Sequence, residues 1–209
     1  MNILIGCEYS GIVREAFRKK GHCAYSCDLL PADDESEWHI QNDVLSAINE
    51  TLPWDLIILH PPCTALAVSG NAHYATGKPK HDERLRSLKW TLQLWEAAKR
   101  KAPMVALENP VGILSKYMGK PSIIQPYEFG HDASKKTCLW LHNLPPLKSG
   151  KYIEPRMVGG MPRWSNQTDS GQNVLGPSPD RWKIRSTTYQ GIAGAMADQW
   201  GAYEKKPIR

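Results

Sequence analysis

Three short runs of residues carry side chains able to do chemistry, and each follows a stretch that reads as a β-strand. His60-Pro61-Pro62-Cys63-Thr64 puts a thiol on a stiff turn directly after the apolar run Leu56-Ile57-Ile58-Leu59. Paired prolines end a strand, and a cysteine on such a turn is a nucleophile once its pKa falls below the usual value of about 8.5. The plainer alternative is a small buried hydrophobe, the fate of most cysteines. Glu108-Asn109-Pro110 follows Met104-Val105-Ala106-Leu107. A carboxyl held in an apolar site there stays protonated and donates a hydrogen bond, although a polar turn ending a strand has the same composition. Gly6-Cys7-Glu8-Tyr9-Ser10-Gly11 follows Ile3-Leu4-Ile5, and its glycines let the backbone turn tightly and approach a ligand. Asp28 closes a second strand, where it is placed to accept hydrogen bonds from ribose hydroxyls. A glycine loop with an acid about 20 residues later is a nucleoside-cofactor arrangement. Asp43-Val44 follows a third segment and is placed to contact an adenine. An ordinary turn and helix cap account for these last residues equally well.

Such strand-end groups meet only if the strands lie side by side. The sequence predicts that they do. Ser10 is suited to cap a helix carrying Ile12, Val13, Ala16 and Phe17 on one face, with Gly21 at its stop. Cys23-Ala24-Tyr25-Ser26 reads as the second strand and Leu56–Leu59 as a buried one. Between Asp82 and Lys101, Leu85, Leu88, Leu92 and Trp95 recur at steps of three and four, marking an amphipathic helix with a basic C-terminal end. Cys138-Leu139-Trp140-Leu141 is a further strand. Repeated strand–helix–strand units predict an α/β fold, a mostly parallel sheet with helices on both faces. Ligands in such a sheet bind beyond the carboxyl ends of its strands. Residues 1–142 form the predicted main domain. Residues 143–185, rich in Pro, Gly, Ser and Asn, read as a small loop-rich insert without a helix. Residues 186–209 return to the main domain through a helix marked by Ile192, Ala193, Met196, Ala197 and Trp200, and the tail from Glu204 to Arg209 is expected to fray.

Composition sets outer limits. The chain has 209 residues, 41% hydrophobic and 22% charged, which excludes wholesale disorder. No apolar run approaches the roughly 20 residues of a membrane helix, and the N-terminus does not read as a signal peptide. A soluble, cytoplasmic protein without membrane association is expected. A net charge of +5 tolerates a phosphate-bearing partner without requiring one. Five scattered cysteines, of which only Cys23 and Cys27 lie close together, suggest neither a disulfide framework nor a zinc site, so no metal is expected.

In order and spacing from Ile3 to about Trp140, the glycine loop, the acid after strand two, Pro62-Cys63 and Glu108-Asn109 resemble the DNA (cytosine-5) methyltransferase family. Tyr189-Gln190-Gly191-Ile192-Ala193 looks like that family's last motif, which completes the cofactor pocket. The resemblance implies a Rossmann-like S-adenosylmethionine-dependent methyltransferase fold. It implies that Gly6, Cys7, Glu8, Tyr9, Ser10, Gly11, Asp28, Leu29, Asp43, Val44, Pro61, Gln190, Gly191 and Ile192 bind S-adenosylmethionine. It makes Cys63 the nucleophile at cytosine carbon 6, with Glu108 and Asn109 holding the base. The chain differs from the family in its Cys7-Glu8-Tyr9 loop and in Leu29, where an aromatic often stacks. Ser134-Lys135-Lys136-Thr137-Cys138 stands where the family has a glutamine followed by spaced arginines, and Lys136 is the candidate replacement for one of them.

A long target-recognition domain usually separates the last strand motif from the final helix; here only residues 143–185 do. Short-site or weakly specific DNA modification is expected, on a duplex with a flipped cytosine or on a single strand. In the insert, Arg156, Arg163, Arg181, Lys183 and Arg185, with Trp164 and Trp182, are suited to grip phosphates and stack a base. The same residues equally suit a subdomain packed by tryptophans with solvated arginines. Lys78 and Lys80, in the stretch that follows the cysteine turn, suit a mobile phosphate-facing lid, or an ordinary solvated loop. A phage or mobile element protecting its DNA is the setting such a compact member suits. Three other readings compete: the same chemistry on a free cytosine nucleotide, a catalytically weak nucleic-acid-binding relative, and an unrelated nucleotide-binding α/β protein.

Overall fold

A computed structural model describes residues 1–50 and 52–202; the tail expected to fray lies outside the described residues. In chain order the elements are β1 (Asn2–Gly6), α1 (Ile12–Arg18), β2 (Cys23–Asp28), β3 (His39–Gln41), α2 (Val44–Glu50), β4 (Leu56–Leu59) and a 3₁₀ turn (Val68–Gly70). There follow α3 (Asn71–Tyr74), α4 (His81–Lys101), β5 (Met104–Pro110), α5 (Ser115–Met118), β6 (Ser122–Ile124), a 3₁₀ turn (Pro126–Phe129) and β7 (Thr137–His142). A hairpin of β8 (Arg156–Val158) and β9 (Met161–Arg163), then α6 (Arg181–Ser186) and α7 (Gln190–Gly201), complete the chain.

The sheet order is β3-β2-β1-β4-β5-β7-β6. β1, β2, β3, β4 and β5 pair in parallel, while β7 runs antiparallel between β5 and β6. This is a mostly parallel, Rossmann-like sheet with helices on both faces, the fold class the sequence predicts. Continuous apolar runs in β1, β4 and β5 follow from burial on both faces, for only then does a strand lose its polar alternation. Ile3, Ile5, Ile58 and Ala106 face the side covered by α1 and α7, where Phe17, Met196 and Trp200 close the core. Leu4, Ile57, Leu59 and Leu107 face the side covered by α2 and α4. The chain runs outward through β2 and β3, then returns to β4 on the other flank of β1. A crevice therefore opens between the carboxyl ends of β1 and β4, the switch point at which open α/β sheets bind ligands.

Two expectations need correction. The buried residues of α4 are Arg84, Leu88, Thr91, Leu94, Ala97 and Ala98; of the expected stripe Leu88 is among them and Leu92 and Trp95 pack against the core, whereas Leu85 is exposed. In the stretch that follows the cysteine turn, residues 68–74 form the 3₁₀ turn and α3, and Lys78 and Lys80 beyond them are exposed. The insert also contains a hairpin and a short helix where no helix is predicted. No described helix is long and apolar enough to cross a membrane.

Candidate active site

The cysteine turn and the Glu108 strand end are fastened together. Asn109 Nδ2 donates to the Pro61 carbonyl at 2.9 Å, and Asn109 itself is buried. After Cys63, the amides of Leu66 and Ala67 both return to its carbonyl, each at 2.9 Å. The chain then lies along the segment beyond β5, with Val68 N to Val111 O at 2.9 Å and Ile113 N to Leu66 O at 3.0 Å. Ala67 and Gly112 form the bridge, and a Cβ on Gly112 would come within 2.9 Å of the Leu66 carbonyl carbon. Only glycine permits that approach. Arg84, buried on α4, donates from Nε to the Ala65 carbonyl at 2.6 Å and from Nη2 to Ala67 at 3.4 Å, clamping the turn from behind.

His60 lies at the centre of the charged groups. Its Nδ1 is 3.3 Å from Glu108 Oε2, with side-chain exposures of 9% for His60 and 16% for Glu108. Burial pushes the Glu108 carboxyl up, but the His60 hydrogen bond and the positive charges of Lys135 and His60 outweigh it and hold the carboxyl below its ordinary value. The expectation that an apolar site keeps Glu108 protonated is corrected accordingly. The Cys63 thiol is pushed up by burial and by the Glu108 charge, while Lys135, a backbone hydrogen bond and Arg185 pull the other way. The free protein therefore holds a carboxylate beside a neutral thiol, not the lowered thiol a nucleophile needs.

Lys135, rather than the expected Lys136, is the lysine that acts on both groups. Lys136 is exposed and acts on Cys138. Lys135 donates from Nζ to the Arg185 carbonyl at 2.8 Å, and its amide donates to Gln125 Oε1 at 3.0 Å. The sequence motifs do not single out His60, Lys135 or Arg84. His60 is legible beside Pro61; the other two acquire their positions through distant contacts.

Gly6 ends β1 against Val44 and Leu59, where a Cβ would lie 2.9 Å from the Leu59 side chain. Cys7 adopts φ 60°, and its thiol is pushed far up by burial, then by Asp28, Cys27 and Asp43. Asp28 is half-buried and accepts the Leu30 amide at 3.0 Å, and Leu29 is 71% exposed beside it. Five expected cofactor contacts have other occupations. The Glu8 carboxylate turns inward and accepts the amides of Val13 at 2.7 Å and Arg14 at 3.2 Å, so it, and not Ser10, satisfies the start of α1. Burial pushes this carboxyl up, partly offset by His60 and these bonds. Asp43 Oδ1 caps α2 through Leu45 N at 2.9 Å and Ser46 N at 3.2 Å, and Val44 is buried in the core. At the start of α7, Gly191 N donates to His131 Nε2 at 2.8 Å and Ile192 is buried. A cleft of about 400 Å³ between α1 and α7 brings Gln190 beside Ser10 and Gly11, but neither Cys63 nor Glu108 lines it.

α6 lies across both halves of this edge. Tyr9 OH is 3.4 Å from Ser186 Oγ, its ring centroid is 5.8 Å from that of Trp182, and Lys183 Nζ is 3.5 Å from Asp33 Oδ1. Most insert cations are otherwise engaged. Arg156 binds Asp169 at 2.6 Å and the Gln167 carbonyl at 2.8 Å, Arg163 binds the Asp169 carbonyl at 3.0 Å, and Arg181 binds the Leu175 carbonyl. Trp164 is buried and stacked on Tyr127 at 4.1 Å, so it is not available to stack a base. Trp182 and Arg185 are exposed.

No protein-family model matches the chain, and no curated protein matches it. Among solved structures it is similar to a prophage-encoded protein of E. coli assigned as a DNA modification methyltransferase, at 11% identity and TM-score 0.42, covering 68% of this chain and 46% of that one. It is also similar to a mutant of Spodoptera frugiperda DNMT2, at 14% identity and TM-score 0.37, covering 78% of this chain and 57% of that one. The chain thus spans about half the length of these proteins.

Proposed function

We propose that this protein is an S-adenosylmethionine-dependent cytosine-5 methyltransferase acting on DNA. The reading is carried by the fastening of the Cys63 turn to the Glu108-Asn109 strand end beside the switch-point crevice. The cofactor fits one side of that crevice, where Asp28 has acceptor capacity for ribose hydroxyls and Leu29 offers an exposed apolar face. Bound there, S-adenosylmethionine supplies the electrophilic methyl group.

Carbon 5 of cytosine is a poor nucleophile while the ring is aromatic. Addition of the Cys63 thiolate to carbon 6 breaks that aromaticity and makes carbon 5 enamine-like. Lys135 and Arg185 favour the thiolate. A proton at Glu108 offsets the charge that builds on the adjacent ring nitrogen, and once Glu108 is neutral it no longer opposes ionisation of Cys63. Removal of the carbon-5 proton and expulsion of the thiolate restore the ring.

One observation favours the free-nucleotide reading: Arg156, Arg163 and Arg181 make internal hydrogen bonds, which leaves few insert cations for a phosphate backbone. Labelled S-adenosylmethionine offered with duplex DNA, single-stranded DNA and dCMP separates the two. Label on DNA supports the first reading; label on dCMP alone replaces it with the second. Absence of label from all three substrates refutes both.

A further inference from the structure

Cytosine chemistry needs a proton at Glu108 when the thiolate adds, yet the free protein holds this carboxyl ionised beside His60. We infer that His60 is the proton donor behind Glu108: one proton is shared between the two side chains and passes through Glu108 to the ring nitrogen of the bound cytosine. The inference rests on the proposed reaction and adds a positioning residue to it.

Geometry supports the pair. Nδ1 of His60 faces Glu108 Oε2 at 3.3 Å, and both side chains are largely buried, so few water molecules compete for the proton. His60 is held by its own backbone, with His60 N donating to the Gly6 carbonyl at 2.9 Å, and Asn109 ties the following Pro61 to β5. The far ring nitrogen, Nε2, is buried and has no hydrogen-bond partner among the described residues; Asn109 Oδ1 is in the same state. Leaving buried polar atoms unsatisfied is costly, and both belong to this one constellation. The charged groups acting on the pair are Glu8 from the β1 loop, Lys135 from the segment before β7, and Cys63, also influenced by Arg185 of α6.

The step balances. The Cys63 sulfur–carbon 6 bond forms as the carbon 5–carbon 6 π bond breaks. The displaced electron pair is taken up through the ring at its nitrogen. Glu108 takes the shared proton from His60 Nδ1 and delivers it there, ending ionised beside a neutral imidazole. Expulsion of the thiolate reverses the transfer and returns the proton to His60.

The first test does not require turnover. The Glu108 carboxyl is titrated by its ¹³C shift in labelled protein, with the resonance assigned by its loss in Glu108→Gln. Replacing His60 by Gln should raise the Glu108 midpoint by about one pH unit, a tenfold change in proton affinity. An unmoved midpoint overturns the pairing whether or not methyl is transferred. The second test is single-turnover transfer. His60→Gln should slow it at least tenfold and displace the acidic limb of the pH profile, but have no further effect in the Glu108→Gln background. Equal losses in both backgrounds overturn the relay. His60→Asn, which keeps a donor but cannot release a proton, should be as slow as His60→Gln; full rescue by Asn reduces His60 to a structural prop and overturns the inference. A shifted midpoint in a protein that methylates no cytosine supports the pair and refutes only the cytosine reading.

Discussion

At Cys63 the field of neighbouring charges decides reactivity. Burial and Glu108 hold the thiol up, and Lys135 is the first of the groups that oppose them. Lys135→Met should therefore raise the Cys63 pKa further. Each pH unit by which the midpoint rises lowers the thiolate fraction about tenfold at neutral pH. Alkylation of Cys63 by iodoacetamide, read by peptide mass mapping across pH, should show the midpoint moving upward, and a downward movement would contradict the assigned role. Cys63→Ser should abolish methyl transfer and leave S-adenosylmethionine affinity within twofold, as measured by calorimetry. The Glu108 carboxyl also contributes to stability with a definite sign. Its folded value lies below its ordinary value of about 4.3, so the contribution is present above that pH and is lost as the pH falls toward the folded value. In Glu108→Gln this loss should disappear from the acid limb of a urea-denaturation series.

Elements carry these residues to one place, and Gly112 shows how narrow the tolerance is. A Cβ there would meet Leu66 and Ala67, whose backbone cannot move without shifting the Cys63 turn. Gly112→Ala should cut methyl transfer at least tenfold while cofactor affinity holds, because the crevice between β1 and β4 is untouched; loss of cofactor binding with transfer intact would contradict this. At the start of α1, Glu8→Ala removes an acceptor from two amides and should cost about 1 kcal/mol, within the range of lost N-caps, measurable in thermal melts. What the sequence reveals follows the same division. Strands buried on both faces are legible as apolar runs, and α7 is legible because its inward residues are all apolar. The apolar periodicity of α4 finds Leu88, Leu92 and Trp95 but misplaces its first turn, where Leu85 is exposed and Arg84 is buried, its guanidinium satisfied by carbonyls nearly twenty residues away. Lys135 and Lys136 differ by one residue, and a one-residue change of register near a strand sends a side chain to the opposite face. Cys63, Glu108 and Asn109 are legible as candidates because each lies at or just beyond a strand end, whereas the bonds by which Asn109 and Arg84 hold the Cys63 turn are not. The occupations of Glu8 and Asp43 are not, since a capping carboxylate and a ligand-binding one look identical in sequence.

Across the whole molecule, charge is distributed differently from what composition suggests. The insert is rich in arginine, yet Arg156 and Arg163 fasten the β8–β9 hairpin to the loop around Gln167 and Asp169, while Ser165 and Asn166 join that loop to residues 132–134. Lys78, Lys80 and Arg185 are exposed, and of these Arg185 stands nearest to Cys63 in its electrostatic effect. If DNA is the substrate, these are the cations that neutralise its phosphates. Each neutralised phosphate contributes about 0.9 to the slope of log affinity against log salt concentration on duplex DNA. Lys78→Ala and Lys80→Ala should each reduce that slope by about one when they contact duplex phosphate, with little change in melting temperature. Arg156→Ala should do the reverse, lowering stability by up to about 1 kcal/mol through a lost surface ion pair and leaving the slope intact. A slope that falls with Arg156 and ignores both lysines would move the DNA path from the α3–α4 junction to the hairpin, and with it the side from which a flipped base reaches Cys63.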